Sequence, residues 1–590
     1  MNRPHRHRWQ PLLLAGLFAA PLGIQLACRA SEPGEQLRRS VPAAAVVCLE
    51  ILQPQALLDP LLSEDFAARV EALPLWPELV ENPKFQELRA GIGMFQVSLA
   101  TDWRTALREL TGGGALFAAA PGDRTVLLTD SLNPDLLKRV HELAVNIARG
   151  EAEKRGEPDV VRSDEQDGLA RWTFNGVESH VVSGSRLVAA NDSEVLEHVL
   201  AAARGPKSET LAGDAGYAAA RTALGDPAAM LFLNLRVLRH APGFLEGLEE
   251  SGGNPLAALL IGGLPDSLKS ADWLAAGLYV AKGRLSAQVK VGPGENPVAP
   301  PLPLGDMDTL LPDPRLPGEI AALRLNRDLH SFYSAKDDLF PARTSGLIFF
   351  ENMMGIFFSG RNLTDEIMAA PQPEVSFVVA RQDFADDAPA PEPQLPGFAL
   401  VLRLRDPEAF RPVLEEAWQK ALGLINFTRG QKAEPGLILD RPRHGGIAIT
   451  TSHFSTVGLT EAEQGNIRFN FQPTLAMPGE FAILSSSESV ARRLVDSLTG
   501  HGGTKPISAA GSHTRLTLHG GAIRDLLRLN FDAMVRNNMI EEGHTREEAE
   551  MAINLLLAVA GQVNRAEFGL GGGKQPPSAS LTLDFAGAGE

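Results

Sequence analysis

Apolar residues in this chain fall into two kinds of run. Some runs are short and continuous, with turn residues on both sides, and predict strands. These are 43–51, 115–120, 125–130 and 187–190 in the first half, and 319–325, 375–380, 398–403 and 481–484 in the second. Other apolar residues recur every third or fourth position and predict helices with one apolar face. Leu136, Leu137, Val140, Leu143, Ala144 and Ile147 make one such stripe; Phe410, Val413, Leu414, Ala417, Trp418 and Leu422 make another. Each stripe follows the same start signal, Asn133-Pro134-Asp135 in one and Asp406-Pro407-Glu408 in the other. An Asx side chain caps a free backbone N–H, proline suits the first helical position, and the acid complements the helix dipole. The stretch 347–358 is the most apolar of all and is expected as a buried helix.

These elements recur in one order. Pro42 leads into 43–51 and Pro317 into 319–325. A short helix follows, opened by Thr101-Asp102 in the first half and by Leu363-Thr364-Asp365 in the second. After the paired Asx-Pro-acid helices comes a strand, a cap and a helix: 187–190, Asn191-Asp192 and Val195, Leu196, Val199, Leu200, then 481–484, Ser486-Ser487 and Val490, Ala491, Leu494, Val495. Each half closes on a hairpin, 273–281 with 284–291 and 566–570 with 578–585. A repeated order of this kind is the signature of one structural unit used twice. The expected fold class is therefore α+β: two similar (duplicated) domains, each a mainly antiparallel sheet with amphipathic helices packed on one face. The first repeat is expected over 31–292 and the second over 317–590. A Pro-rich linker spans 293–316, and an acidic, Pro-rich segment at 383–396 is expected as an exposed mobile loop.

Several of these features together resemble a family of large exported bacterial proteins known only as a domain of unknown function. They are Pro42-Ala43 before an apolar strand, Thr101-Asp102-Trp103 with Leu107 and a Gly112–Gly114 stop before an Ala-rich strand, and Asp192-Ser193-Glu194-Val195-Leu196 after a strand. The resemblance spans most of the chain. It implies a fold and an exported location, and it transfers no activity and no functional residue.

The N-terminus points the same way. Arg3, Arg6 and Arg8 precede the apolar run 12–24, and small residues follow, the three parts of a secretory signal over 1–30 with cleavage after Ala30. A lipoprotein signal is the alternative reading, with Leu26-Ala27 before Cys28 as the lipidated residue; Gln25 stands where that signal prefers Leu. The protein is expected in the periplasm or cell envelope, held to a membrane only by such a lipid or by an uncleaved signal. The formal net charge of −17 repels phosphate backbones, so nucleic acid is not an expected partner. Two cysteines, Cys28 and Cys48, exclude a disulfide framework.

Catalytic patterns are missing. No His-Glu-x-x-His or comparable ligand spacing occurs, and no Gly-x-Ser-x-Gly elbow. Gly571-Gly572-Gly573-Lys574 has Phe568 and Gln575 where a phosphate loop needs Gly and Ser or Thr, so it predicts a hairpin turn. Asp306, Asp308 and Asp313 lack the Gly and Glu of a calcium loop. No residue is assigned a catalytic, cofactor-binding or metal-ligating role, and no cofactor is expected. The expected function is non-catalytic, a binding or structural role in the cell envelope with a protein, a glycan or an apolar molecule as partner. The alternative is a hydrolase with dispersed catalytic residues.

Overall fold

The strands anticipated from the apolar runs pair antiparallel with one another, and the chain forms two compact units. One unit comprises Met1–Leu245 with Leu268–Pro297; the other comprises Glu246–Ser267 with Val298–Glu590. The computed structural model describes residues 34–586 apart from 158–159, 167, 176–177, 242, 245–258, 261–263, 295–315, 337–343, 385–389, 501–511 and 573–575. Ala30, Cys28, most of the expected linker and part of the glycine-rich turn lie outside the described residues.

The first unit's strands are β1 (Val47–Ile51), β2 (Ala115–Ala120), β3 (Arg124–Asp130), β4 (Val161–Gln166), β5 (Leu169–Phe174), β6 (Glu178–Ser183), β7 (Arg186–Ala190), β8 (Ala229–Asn234), β9 (Trp273–Ala281) and β10 (Arg284–Val291). They lie in the order β4-β5-β6-β7-β3-β2-β1-β8-β9-β10. The second unit's strands are β11 (Glu319–Asn326), β12 (Pro371–Ala380), β13 (Gly397–Leu404), β14 (Leu437–Asp440), β15 (Arg443–His444), β16 (Ile447–Phe454), β17 (Thr474–Ala476), β18 (Phe481–Ser485), β19 (Ser512–His519), β20 (Val563–Gly571) and β21 (Ser578–Phe585). Their order is β14-β16-β17-β18-β13-β12-β11-β19-β20-β21, with β15 a short partner of β16. Taken from one edge to the other, the two orders correspond strand for strand. β1 is shorter than the apolar run 43–51, because a turn closed by Ala45 N–H on the Pro42 carbonyl takes up its first residues.

The helices that matter here are α1 (Glu35–Arg39), α2 (Pro134–Lys154), α3 (Ser193–Ala202), α4 (Ala215–Leu224), α5 (Pro407–Gln431) and α6 (Glu488–Thr499). The paired starts form as anticipated. Asn133 accepts from Leu136 N–H and Asp406 from Ala409 N–H, each at 3.0 Å. Asp102 caps the first short helix, whereas in the second half Asn362, one residue before the anticipated Leu-Thr-Asp, caps the turn Leu363–Ile367.

Helices cover both sheet faces in each unit, not the single face expected. α2 lays Leu136, Leu137 and Val140 against Val182, while α3 packs Val195, Leu196 and Val199 with Val181, Val188 and Leu128 on the opposite side. In the second unit α5 puts Leu414, Phe410 and Trp418 on Leu402, Leu404 and Leu484, and α6 puts Val490, Ala491, Leu494 and Val495 on Val401 and Ile483. The strands permit this because residues of both parities are apolar, Ala482 and Ile483 among them.

The apolar stretch 347–358 is helical, as Thr344–Phe357, but it is not buried. Phe350 and Met354 pack on Tyr333, Leu363 and Ile367, while Phe349 and Ile356 are each 70 % exposed. A helix apolar on all sides needs neighbours on all sides to be buried. The described ends of the 383–396 loop are fastened: Gln382 Nε2 donates to the Leu395 and Asn470 carbonyls, and Gln394 N–H to Asn530.

The segment Glu246–Ser267 belongs to the second unit although its sequence lies inside the first. Arg327 holds it. This side chain is fully buried and donates to the carbonyls of Leu259 at 2.6 Å and Leu260 at 2.9 Å, to those of Asn326 and His513, and to Thr514 Oγ1. Burial pulls its pKa down to about 10.

Candidate functional site

A hydrolase would require a nucleophile, a base and an orienting acid within hydrogen-bond reach. Among the described residues three His–Asp pairs are present: His444 Nε2 with Asp496 at 2.7 Å, His453 Nδ1 with Asp440 at 3.3 Å and His330 Nε2 with Asp365 at 3.4 Å. Among the described residues, none of these three rings is hydrogen-bonded to a hydroxyl or a thiol; the second nitrogen of His444 faces Arg492 at 3.2 Å. Nor does any group of three or more His, Cys, Asp or Glu among the described residues have the arrangement of a metal site. Cys48 is buried in the core of the first unit, where burial and the neighbouring Glu50 push its thiol well up, so it is not a nucleophile.

Glu50 is the first unit's unusual core residue. It sits on β1 and is 1 % exposed. Arg38 of α1 donates to Glu50 Oε1 at 2.6 Å, and the Tyr217 hydroxyl of α4 donates to Oε2. Burial, then the Glu50 charge, raises the Tyr217 pKa, which keeps that hydroxyl protonated as a donor. Around this trio the face is apolar: Leu116, Met230, Phe232, Trp273 and Ala275 belong to one cluster with Tyr217 and Leu224 of α4. α1 and α4 together seal the face.

The corresponding face of the second unit is built differently. With Asp192 at the head of α3 set on Ser487 at the head of α6, the registers of the two sheets align. Leu128 falls on Val401, Leu116 on Ser376 and Glu50 on Arg324. One strand further, Met230 falls on Arg515 and Phe232 on Thr517; beyond that, Gly277 falls on Gly569, Ala275 on Glu567 and Trp273 on Arg565. Five apolar positions and one carboxylate in the first unit thus become three arginines, two hydroxyls and one carboxylate in the second.

Glu567 bridges two of the arginines, at 3.4 Å from Arg515 Nε and 2.6 Å from Arg565. Arg324 stands directly opposite Arg515, and burial, with Arg515 and Arg565 adding to it, lowers its pKa to about 10. Ser376 and Thr517 are buried, and neither Oγ atom has a hydrogen-bond partner. The sealing helix has no counterpart among the described residues. The connection from α3 to β8 carries α4, whereas that from α6 to β19 is less than half as long.

Part of this site was open to sequence reading. In the run 319–325 the period of two places Arg324 on the face of Ile320 and Ala322, an inward-facing charge in an apolar strand. Arg515, Thr517 and Glu567 carry no such signal, because only the strand register brings them to Arg324.

A second polar cluster lies in the first unit. His141 of α2 and His180 of β6 meet Nε2 to Nε2 at 2.9 Å. Trp172 and Phe174 surround them, with the Arg149 guanidinium over the Trp172 ring. The ring centroids are 5.1 Å apart, so the two nitrogens point at each other, one donating and one accepting. That is the geometry of a shared proton, not of two ligands turned toward a metal. Burial, then His141, lowers the His180 pKa to about 3; burial lowers that of His141.

No family model matches this chain. No curated protein matches it either. Solved structures of TP0453 are similar over part of the chain. Crystal form I is 11 % identical with a TM-score of 0.22, covering 45 % of this chain and 81 % of that one. Crystal form IV is 10 % identical with a TM-score of 0.21, covering 43 % and 79 %. Likeness at this level carries no argument about function.

Proposed function

We propose that this protein is an exported, non-catalytic binding protein of the cell envelope, and that the β11–β19–β20 face of its second unit is the binding face. One observation carries the reading: positions that hold a mainly apolar cluster under a helical cover in the first unit hold partly buried arginines and buried, unpaired hydroxyls in the second. Polar groups buried on a sheet face cost stability unless something satisfies them. A face that only needed to fold would follow the first unit's solution.

The test is a melting-temperature screen of the mature full-length chain against a mixed library of sugars, peptides, fatty acids and small anions. The same screen is run on a variant carrying the first unit's residues, S376L with T517F. A ligand that stabilises the native chain and loses its effect on the variant supports the assignment. A ligand that stabilises both equally binds elsewhere and refutes it. Sequencing of the mature N-terminus checks export: a start just after Ala30, or a lipid on Cys28, supports it, and an intact Met1 in the envelope fraction opposes it.

A further inference from the structure

We infer that the first unit carries a separate binding site, in the cavity between the helices Glu64–Glu71 and Trp103–Thr111, for a short aliphatic zwitterion, an amino acid or dipeptide, whose carboxylate meets Arg104 and whose ammonium meets Glu71.

The cavity measures about 470 Å³, within the range of small-molecule sites. Leu62, Ala67 and Ala68 give it an apolar lining, and Glu64, Glu71, Arg104 and Arg108 bring charge to it. Helical period sets these walls. Glu64, Ala67, Ala68 and Glu71 recur at steps of three and four, so they share one face of their helix. In the other helix Ala106 and Leu110 are buried with Leu136 and Leu137, and an offset of two residues turns Arg104 and Arg108 to the opposite side. Acids thus stand on one wall and arginines on the other. Among these four described side chains no ion pair crosses the cavity.

Two of the four charges are met locally. Glu64 lies in the first turn of its helix, where the dipole favours an acid, and Arg108 bonds Asp59 at 2.9 Å. The other two are not. Glu71 ends its helix, where the dipole disfavours an acid, and it has no ion-pair or hydrogen-bond partner. Arg104 lies in the first turn of its helix, where the dipole disfavours a cation. Its guanidinium rests 4.8 Å over the Trp103 ring. Asp102 is the cap of that helix, bound to Thr105 N–H, and attracts Arg104 only beyond ion-pair distance. A ligand with both charges completes both groups at once: a guanidinium takes a carboxylate through paired N–H donors, and the Glu71 carboxylate takes an ammonium. Ala67 and Ala68, between the two acids, leave room for a short body and offer its side chains no hydrogen bond, which favours an aliphatic one.

The experiment titrates the mature full-length chain at neutral pH with L-alanine, L-alanyl-L-alanine, the N-acetylated dipeptide and the dipeptide amide, read by calorimetry. Saturable binding of alanine or of the free dipeptide is expected, and the tighter of the two sets the ligand's length. Acetylation removes the ammonium and amidation the carboxylate, and each is expected to weaken binding at least tenfold. R104Q should bind the free dipeptide no better than it binds the amide, and E71Q no better than the acetylated form. R155Q, at an exposed position after α2, should leave binding unchanged. S376L with T517F should also leave it unchanged, because those residues belong to the other unit. If neither alanine nor the free dipeptide binds, if the blocked forms bind as well as the free one, or if R104Q and E71Q change nothing, the inference is overturned. Loss of the response in S376L with T517F overturns it too, by placing the peptide on the second unit's face.

Discussion

The two units solve one topological problem with different chemistry on one face. Across β2, β1, β8 and β9 the first unit buries Leu116, Met230, Phe232, Trp273 and Ala275 under α1 and α4, and admits one carboxylate with two donors in place. Across β12, β11, β19 and β20 the second unit sets Ser376, Arg324, Arg515, Thr517, Arg565 and Glu567 at the matching positions. Strand order and helix placement tolerate this exchange because they are secured elsewhere, by the apolar half of the sheet under α3 or α6 and by α2 or α5 on the reverse side. The lesson is that half a sheet face suffices to hold this architecture, and the other half is free to carry chemistry.

The comparison breaks most visibly at its central charges. R38L removes the ion-pair partner of a carboxylate that is 1 % exposed and is expected to cost about 3–5 kcal/mol, since a buried charge left alone is far more costly than a buried pair. The matching removal in the second unit, R515L, is expected to cost no more than about 1 kcal/mol, because Glu567 is partly exposed and keeps Arg565. Urea unfolding of the two variants measures both; equal costs would mean that the two faces are not energetically distinct.

A second comparison is pH dependence: burial holds His180 of the first unit at about 3 and His513 of the second at about 4. The folded pKa of His180 lies near 3, well below the ~6.5 of an unfolded histidine, so the unfolded chain binds the proton first. Stability from this group is complete above pH ~6.5 and falls as the pH drops toward the folded value, by about 2 kcal/mol at pH 5. The charged groups around it are Glu142 beside His141, Glu178 on β6, whose pKa burial raises, Arg149 over Trp172 and the Arg171–Glu197 pair. Unfolding curves between pH 7.5 and 5 should show the loss, H180Q should reduce it, and H180Q with H513Q should flatten it. A slope that survives both substitutions belongs to another group.

The smallest effects test the matched helix starts. Asn133 and Asp406 make equivalent caps, so N133A and D406A are expected to cost about 1 kcal/mol each. Asp192 caps α3 through Val195 N–H, but Ser487 makes no such bond to α6. D192A should therefore cost about 1 kcal/mol and S487A less than about 0.5. Similar losses at α3 and α6 would show that Ser487 caps its helix in solution.

Elements with a local cause were legible in the sequence. The Asx-Pro-acid starts, the apolar stripes of α2 and α5 and the closing hairpins each depend on residues close together in the chain. The layering was less legible: an apolar strand reads the same whether one face or both are covered, which is why helices on both sides went unanticipated. The site was least legible. Arg324 could be placed on the inner face by period alone, but its neighbours Arg515 and Ser376 lie far away in sequence, and only register joins them. Glu50 is parallel: its charge inside 43–51 was visible, whereas Arg38 and Tyr217 as its donors were not.

The grip of Arg327 on Leu259 and Leu260 has a consequence for the order of synthesis. Residues 246–267 leave the ribosome as part of the first half, yet the oxygens that complete their anchor, at His513 and Thr514, arrive on the order of tens of seconds later at ordinary elongation rates. For that interval the first half is translated but one of its segments has no seat. A fragment ending at 292 would remain in that condition permanently. The Pro-rich linker is thus a boundary in sequence and not a place where the protein divides into two self-sufficient halves.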